Sequence, residues 1–117
     1  MRISEEWRLL CIYLLVLFLL VVSSPASAQV TAMHFNAAFN SANDVVWFSK
    51  LGDCDRQTLL IDENDNQTKY KIAVVPTIII FDEGEEVKRF QADISFKMVA
   101  TKEEVQEYID ELIISKF

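Results

Sequence analysis

The amino-acid sequence predicts an α/β domain in which helices flank a four-stranded mixed sheet, in the order β-α-β-α-β-β-α. Residues 72–81 form an almost continuous apolar run, which is typical of a strand buried on both faces. Gly84 follows in an acidic turn, where glycine reaches positive φ without steric cost and favours a hairpin. Residues 101–113 carry apolar side chains at helical spacing.

The first half of the domain alternates between strand and helix patterns. Residues 30–39 are apolar enough for a first strand, and residues 44–51 have the apolar spacing of a short amphipathic helix. Residues 58–62 predict a second strand, and residues 63–70 predict a short helix or turn. Pro76 has no backbone N–H, so it is expected at the beginning of the third strand and not within its ladder.

The second half is expected to end in an edge strand and a helix. Apolar residues alternate with polar ones over residues 90–98, which predicts one long edge strand with a bulge near Lys88 or Arg89. Thr101 and Glu104 have the spacing of a capping box at the start of the last helix. Parallel strands joined by helices require right-handed crossovers, which limits the possible topologies.

The N-terminal segment, residues 1–28, predicts a signal peptide. Residues 9–22 are an apolar run of about 14 residues, shorter than the roughly 20 that span a bilayer, and residues 26–28 are a small-residue cleavage site. We therefore expect a periplasmic or secreted domain, residues 29–117. The alternative is an uncleaved anchor that holds the domain on the membrane facing the periplasm, in which case the membrane is contacted only through this segment.

Composition excludes several classes of site. The chain has a formal net charge of −7, and removing residues 1–28 leaves that charge unchanged, so nucleic acid is an unfavourable partner. No phosphate-binding loop or metal-ligand set is present in the sequence, so no cofactor is predicted. His34, the single histidine, lies in an apolar strand pattern and is interpreted as a core residue.

Several short motifs resemble the thioredoxin family. The similarity is specific over residues 70–84 and loose over the rest of 33–117. It implies a thioredoxin-like three-layer fold, with a cis peptide bond before Pro76, of the small secreted bacterial type. The residues that carry it are Asp62-Glu63-Asn64, Lys69-Tyr70-Lys71-Ile72, Val75-Pro76-Thr77, the strand 78–81 and Gly84.

The family's CxxC motif has no counterpart here. Residues 34–43 match the family's active-site segment, and the two cysteine positions are Asn40 and Asn43, with Ser41 and Ala42 between them. Thiol-disulfide exchange requires a thiolate nucleophile and a second, resolving thiol, and an amide supplies neither. The resemblance therefore implies a thioredoxin-like domain without a catalytic dithiol.

The resemblance leaves a binding surface as the main functional hypothesis. In the family, the residue before the cis proline, here Val75, pairs its backbone with an extended peptide by strand addition. Phe39, Asn40, Val75 and Pro76 are the predicted binding residues for a protein or peptide partner. The alternative is that Asn40 and Asn43 serve only as helix caps, a position that asparagine favours.

Cys54 is the only cysteine of residues 29–117, so that region has no internal disulfide. The residue precedes the second parallel strand, which places it at the opposite end of the sheet from Pro76. A half-buried structural thiol is the simplest interpretation. The alternative is a thiol-disulfide oxidoreductase, with a role in cell redox homeostasis, that acts through Cys54 or a partner's thiol.

Overall fold

The computed structural model describes residues 29–117, and the predicted signal peptide, residues 1–28, lies outside the described residues. The described part has four strands, two α-helices and two 3₁₀ segments. Within it, no helix has both the length and the hydropathy needed to cross a membrane. The elements are β1 (Val30–Asn36), β2 (Asp55–Leu60), α1 (Asn66–Lys69), β3 (Thr77–Asp82), β4 (Glu85–Gln91), α2 (Lys102–Ile114) and the 3₁₀ segments Ala38–Asn43 and Phe48–Lys50.

The four strands form one mixed sheet in the order β2-β1-β3-β4, which confirms the predicted fold class. β1 pairs in parallel with β2 and antiparallel with β3, and β3 pairs antiparallel with β4. Thr31 of β1 is opposite Asp55, and Phe35 is opposite Thr77. Cys54 and Pro76 are therefore level with Val30 and Asn36, the two ends of β1, which are separated by about 20 Å of strand.

The central strands bury both faces, because successive side chains of a strand point to opposite sides of the sheet. One core lies under α2 and the segment 45–51. The second includes residues of the loop before β3, and Tyr70 packs against it. The first contains Val30, Ala32, Ile78, Ile80, Val105 and Ile109, and the second contains Phe35, Ala37, Ile72, Val75 and Ile79.

Helix α2 begins as its capping pattern predicts. The Thr101 side-chain oxygen accepts a hydrogen bond of 3.2 Å from the Glu104 backbone N–H, which satisfies one of the donors left unpaired at a helix start. Val105 and Ile109 are fully buried against the sheet. The predicted apolar face is thus the face that packs.

The predicted first helix, residues 44–51, is wrong. Val45, Phe48 and Leu51 are buried in the first core, as their spacing suggested, but the segment contains only 3₁₀ turns. The Phe48 N–H donates to the Val45 carbonyl over 3.1 Å, and the Leu51 N–H donates to the Phe48 carbonyl over 3.2 Å. A strict spacing of three residues matches the 3₁₀ period, and adjacent β-branched and aromatic residues disfavour an α-helix.

The predicted long edge strand is also wrong beyond Gln91. Residues 93–97 form a tight turn, in which the Asp93 N–H donates to the Lys97 carbonyl over 3.1 Å. The Asp93 carboxylate accepts from the Ser95 N–H at 2.9 Å, an aspartate turn that ends the ladder. The sheet register shifts between Ile80 and Phe81, which makes Val87 the extra residue of a bulge one position before the predicted one.

Candidate functional site

A cleft of about 280 Å³ opens at the end of the sheet where β1 finishes and β3 begins. Its walls come from the 3₁₀ segment after β1, the turn after β2, the loop before β3 and the 93–97 turn. Of the predicted binding residues, Phe39 and Val75 line this cleft directly. The lining side chains include Phe39, Ile61, Asp62, Ile72, Val75 and Phe96.

The Val75–Pro76 peptide bond is cis, as the resemblance implies. Hydrogen bonds hold the backbone on both sides of this bond. The Pro76 carbonyl accepts from the Ala92 N–H at 3.0 Å, and the Thr77 hydroxyl donates to the Val74 carbonyl over 2.6 Å. The Val75 side chain is buried in the second core. Among residues 29–117, the Val75 N–H has no hydrogen-bond partner. The segment is therefore fixed in place, and the fold of the described residues does not use the Val75 N–H.

Asn40, which the sequence resemblance matches to the family's first cysteine, is 4% exposed and hydrogen-bonded through both ends of its amide. Its Nδ2 group donates to the Asn36 Oδ1 atom over 3.0 Å and to the Phe96 carbonyl over 3.1 Å, with the Val75 carbonyl farther away at 3.5 Å. Its Oδ1 atom accepts from the Asn43 amide at 2.8 Å. Neither asparagine caps the 3₁₀ segment, so the capping alternative is wrong.

Asn36 completes what we call the amide network, defined as Asn36, Asn40, Asn43 and Asp44. The Asn36 Nδ2 group donates to the Asn40 carbonyl over 3.0 Å and also to the Asp44 carboxylate. Asn36 is 1% exposed, so these partners replace the water that it loses on burial. The role of Asn36 was not predicted, although a polar residue at the end of a buried strand was the available signal.

Two aromatic rings form the rim of the cleft. Phe39 is 73% exposed and Phe96 is 42% exposed, and their ring centroids lie 5.7 Å apart in an edge-to-face arrangement. Phe96 belongs to the 93–97 turn, where hydrogen bonds from Ser95 lower the pKa of the Asp93 carboxyl. The site role of Phe96 was not predicted, because the alternating pattern placed it in a strand.

Asp62 was likewise not among the predicted binding residues. Its Oδ2 atom accepts a hydrogen bond of 2.8 Å from the Ala38 N–H, which ties the turn after β2 to the 3₁₀ segment. The side chain is exposed and lines the cleft. In the described residues the ion pairs are Arg89–Glu86 and Lys116–Asp82, so neither involves Asp62.

His34 lies in the first core, as the sequence predicts for a structural histidine. It is buried, its ring packs 5.3 Å from the ring of Phe48, and its Nε2 atom has no partner among residues 29–117. Burial lowers the pKa of His34, and the nearby Asp44 carboxylate opposes that effect. A neutral imidazole is the form that this environment favours.

Cys54 is half-buried and packs against the first core, away from the cleft. Burial raises the pKa of its thiol; Arg56 opposes this, and the neighbouring carboxylates of Asp55, Asp53 and Asp110 add to it. A raised pKa disfavours the thiolate, the form that reacts. Within residues 29–117, no group of three or more histidine, cysteine, aspartate or glutamate side chains is arranged to hold a metal ion.

Solved structures of thioredoxins are similar to this chain. The thioredoxin of Schistosoma mansoni matches with a TM-score of 0.57 and 19% identity, covering 80% of this chain and 86% of its own. Thioredoxin 1 of Thermosipho africanus matches with a TM-score of 0.56 and 24% identity, covering 74% of this chain and 99% of its own. The thioredoxin of Fasciola hepatica matches with a TM-score of 0.52 and 16% identity, covering 82% and 92%.

Comparison with protein-family models found no match, and comparison with curated proteins found none either. The identities to the solved structures are below 25%, so they bear on the fold alone. The sheet order, the cis bond before Pro76 and the structural matches agree with one another. The chain therefore has a thioredoxin-like fold.

Proposed function

We propose that this protein binds an extended protein or peptide segment in the cleft beside Pro76 and carries out no thiol-disulfide exchange there. The observation that supports it most is the contrast between Asn40 and Val75. The Asn40 amide occupies a cysteine position and is already hydrogen-bonded to Asn36, Asn43 and Phe96. The Val75 N–H, by contrast, has no partner among residues 29–117.

An unpaired backbone donor beside a cleft with both apolar and polar lining residues suits strand addition, in which main-chain hydrogen bonds supply affinity and pockets recognise side chains. The cleft, about 280 Å³, lies at the lower end of the size range typical of ligand sites and is large enough to take a side chain of a peptide. We further propose that the domain works outside the cytoplasm, as a periplasmic or secreted module, because residues 1–28 have the pattern of a signal peptide.

Blocking the cleft tests this proposal. Ala73 is exposed and lines the cleft, so Ala73→Trp fills the space with little effect on the core. Ser49→Trp is the matched control, because Ser49 is exposed in the Phe48–Lys50 segment outside the cleft. We expect the purified protein to bind a neutral fluorescent peptide with a Ser-Leu-Ser centre, and Ala73→Trp to abolish the binding. Equal binding by both variants would contradict the proposal.

Insulin reduction tests the alternative, an oxidoreductase that uses Cys54. No observation at Cys54 favours that activity, since its thiol is half-buried, has a raised pKa and lies at the far end of the sheet. We expect no turnover of insulin disulfides above the buffer rate in a Cys11→Ser background. Turnover that disappears in Cys54→Ser would overturn the proposal that the protein is non-catalytic.

A further inference from the structure

We infer that the cleft selects an extended segment in which a large apolar side chain is flanked by lysine or arginine, and that Asp62 is the residue that recognises the charge. The inference rests on the proposed peptide-binding function and adds the chemistry of the partner. It depends on two features of the cleft, an isolated carboxylate and an exposed aromatic pair.

Of the described residues that line the cleft, Asp62 alone has a charged side chain. Its Oδ2 atom is engaged by the Ala38 N–H at 2.8 Å, which holds the carboxylate in a fixed orientation. The ion pairs of residues 29–117 involve Glu86 and Asp82 and leave Asp62 without a cation. A positioned carboxylate with no cationic partner is complementary to a lysine or arginine of a bound segment.

The charge of the whole domain acts in the same direction. Residues 29–117 carry sixteen acidic and nine basic side chains, so the net charge of the chain, −7, belongs to the domain. A negative field attracts cationic segments and raises their association rate at low ionic strength. An acidic segment would meet this field and the Asp62 carboxylate together, and both would repel it.

The apolar part of the selection comes from the rim and floor of the cleft. Phe39 and Phe96 leave much of their surface in water, and Ile61 and Ile72 also line the cleft. A leucine or phenylalanine side chain inserted there removes apolar surface on both partners from water. A small polar side chain gains little in the same place.

Four fluorescent peptides of equal length separate these contributions, with the centres Ser-Leu-Ser, Lys-Leu-Lys, Glu-Leu-Glu and Lys-Ser-Lys. Because a basic residue stands on each side of the apolar one, a lysine can reach Asp62 whichever way the peptide runs through the cleft. By fluorescence anisotropy at low salt, we expect Lys-Leu-Lys to bind most tightly and Glu-Leu-Glu and Lys-Ser-Lys to bind most weakly. High salt should reduce the difference in affinity between the Lys-Leu-Lys and Ser-Leu-Ser peptides, because it screens the charges.

Asp62→Asn is the decisive variant, because the asparagine oxygen still accepts from the Ala38 N–H while the charge is lost. Glu63→Gln is its matched control: Glu63 is exposed, adjacent in sequence and not among the cleft residues. Asp62→Asn should weaken Lys-Leu-Lys binding about two- to five-fold, in the range of an exposed ion pair. Glu63→Gln should change the affinity for Lys-Leu-Lys much less, and neither variant should change the affinity for Ser-Leu-Ser.

The outcomes separate the inference from the proposed function. Binding of Ser-Leu-Ser and Lys-Leu-Lys with equal affinity, or equal losses in Asp62→Asn and Glu63→Gln, would overturn the charge selection and leave peptide binding intact. Equal binding of Lys-Ser-Lys and Lys-Leu-Lys would overturn the apolar selection. Failure of all four peptides to bind the unmodified protein would overturn the proposed function itself.

Discussion

The side-chain amide of Asn40 donates a hydrogen bond of 3.1 Å to the backbone carbonyl of Phe96, a residue 56 positions later in the chain. This contact joins the segment after β1 to the turn that carries one ring of the cleft. Asn40 thus has a structural role. It holds the rim of the proposed binding site in place.

Replacing Asn40 with aspartate tests that role. The carboxylate still accepts from Asn43, but it has no N–H for the Asn36 and Phe96 oxygens and leaves those acceptors unpaired. We expect a loss of about 1 to 3 kcal/mol in the free energy of unfolding, measured by urea denaturation. Ser41→Ala, an exposed neighbouring change, should stay within about 0.5 kcal/mol. Equal stability of both variants would contradict a structural role for Asn40.

Truncating Phe39 should weaken binding while sparing stability. Its ring is 73% exposed, so Phe39→Ala removes little buried surface from the folded domain. In the complex the same ring would be covered, and we expect peptide affinity to fall about ten-fold, as for an aromatic anchor. Val46→Ala is the control, because Val46 is 84% exposed and lies outside the cleft. A Phe39→Ala protein that binds the Lys-Leu-Lys peptide normally would exclude Phe39 from the site.

Stability should fall on acidification because of His34. Burial lowers its pKa in the folded state below the ordinary value of 6.5, so the unfolded chain takes up the proton first as the pH falls. The neutral His34 ring contributes fully to the free energy of unfolding above about pH 6.5, and this contribution is lost as the pH falls toward the lowered pKa of the folded state.

Urea unfolding at about pH 8 and pH 5.5 measures this dependence. The informative quantity is the difference between the unmodified protein and His34→Leu, because any pH effect that does not come from His34 is common to both. We expect the variant to lose less stability between the two pH values. An identical loss in both proteins would mean that His34 is not the source.

The Cys54 thiol should react slowly. Because burial raises its pKa, less thiolate is present at neutral pH than for a cysteine in a short peptide. In a Cys11→Ser background, alkylation by iodoacetamide should have a pH midpoint above that of the peptide cysteine, and unfolding in guanidinium should remove the difference. A folded protein that is alkylated faster than the peptide would show an activated thiol and favour the redox alternative.

The parts of the fold that local sequence signals specify were predicted well. The run 72–81, the hairpin glycine and the capping residues of α2 each carry a strong short-range preference, and the structure has the corresponding elements. The positions of Cys54 and Pro76 were also predicted correctly, because the order of elements puts them at opposite ends of the sheet.

The segments that were predicted wrongly depend on finer balances. Spacing alone does not distinguish a 3₁₀ turn from an α-helix in residues 44–51, where three buried side chains satisfy both periods. In residues 93–97 the Asp93 side chain bonds to the backbone and replaces the strand ladder. An alternating apolar pattern carries no information about that competition.

The candidate site was predicted only in part, because its remaining residues are brought together by tertiary contacts. Phe39 and Val75 do line one cleft, whereas Asn40 supports it from the buried side. Phe96 and Asp62 join it from two other loops. Their sequence neighbourhoods resemble ordinary solvated turns, so only the folded arrangement indicates them.

Nuclear magnetic resonance of the ¹⁵N-labelled protein, titrated with the Lys-Leu-Lys peptide, shows whether the cleft beside Pro76 binds a peptide without thiol chemistry. We expect saturable chemical-shift changes centred on the backbone amides of Val75, Ala73 and Phe39, with the Cys54 amide unchanged and no covalent adduct by mass spectrometry. Chemical-shift changes centred on Cys54, a mixed disulfide with a cysteine-containing peptide, or an unchanged Val75 amide at saturation would contradict non-covalent peptide binding in the cleft.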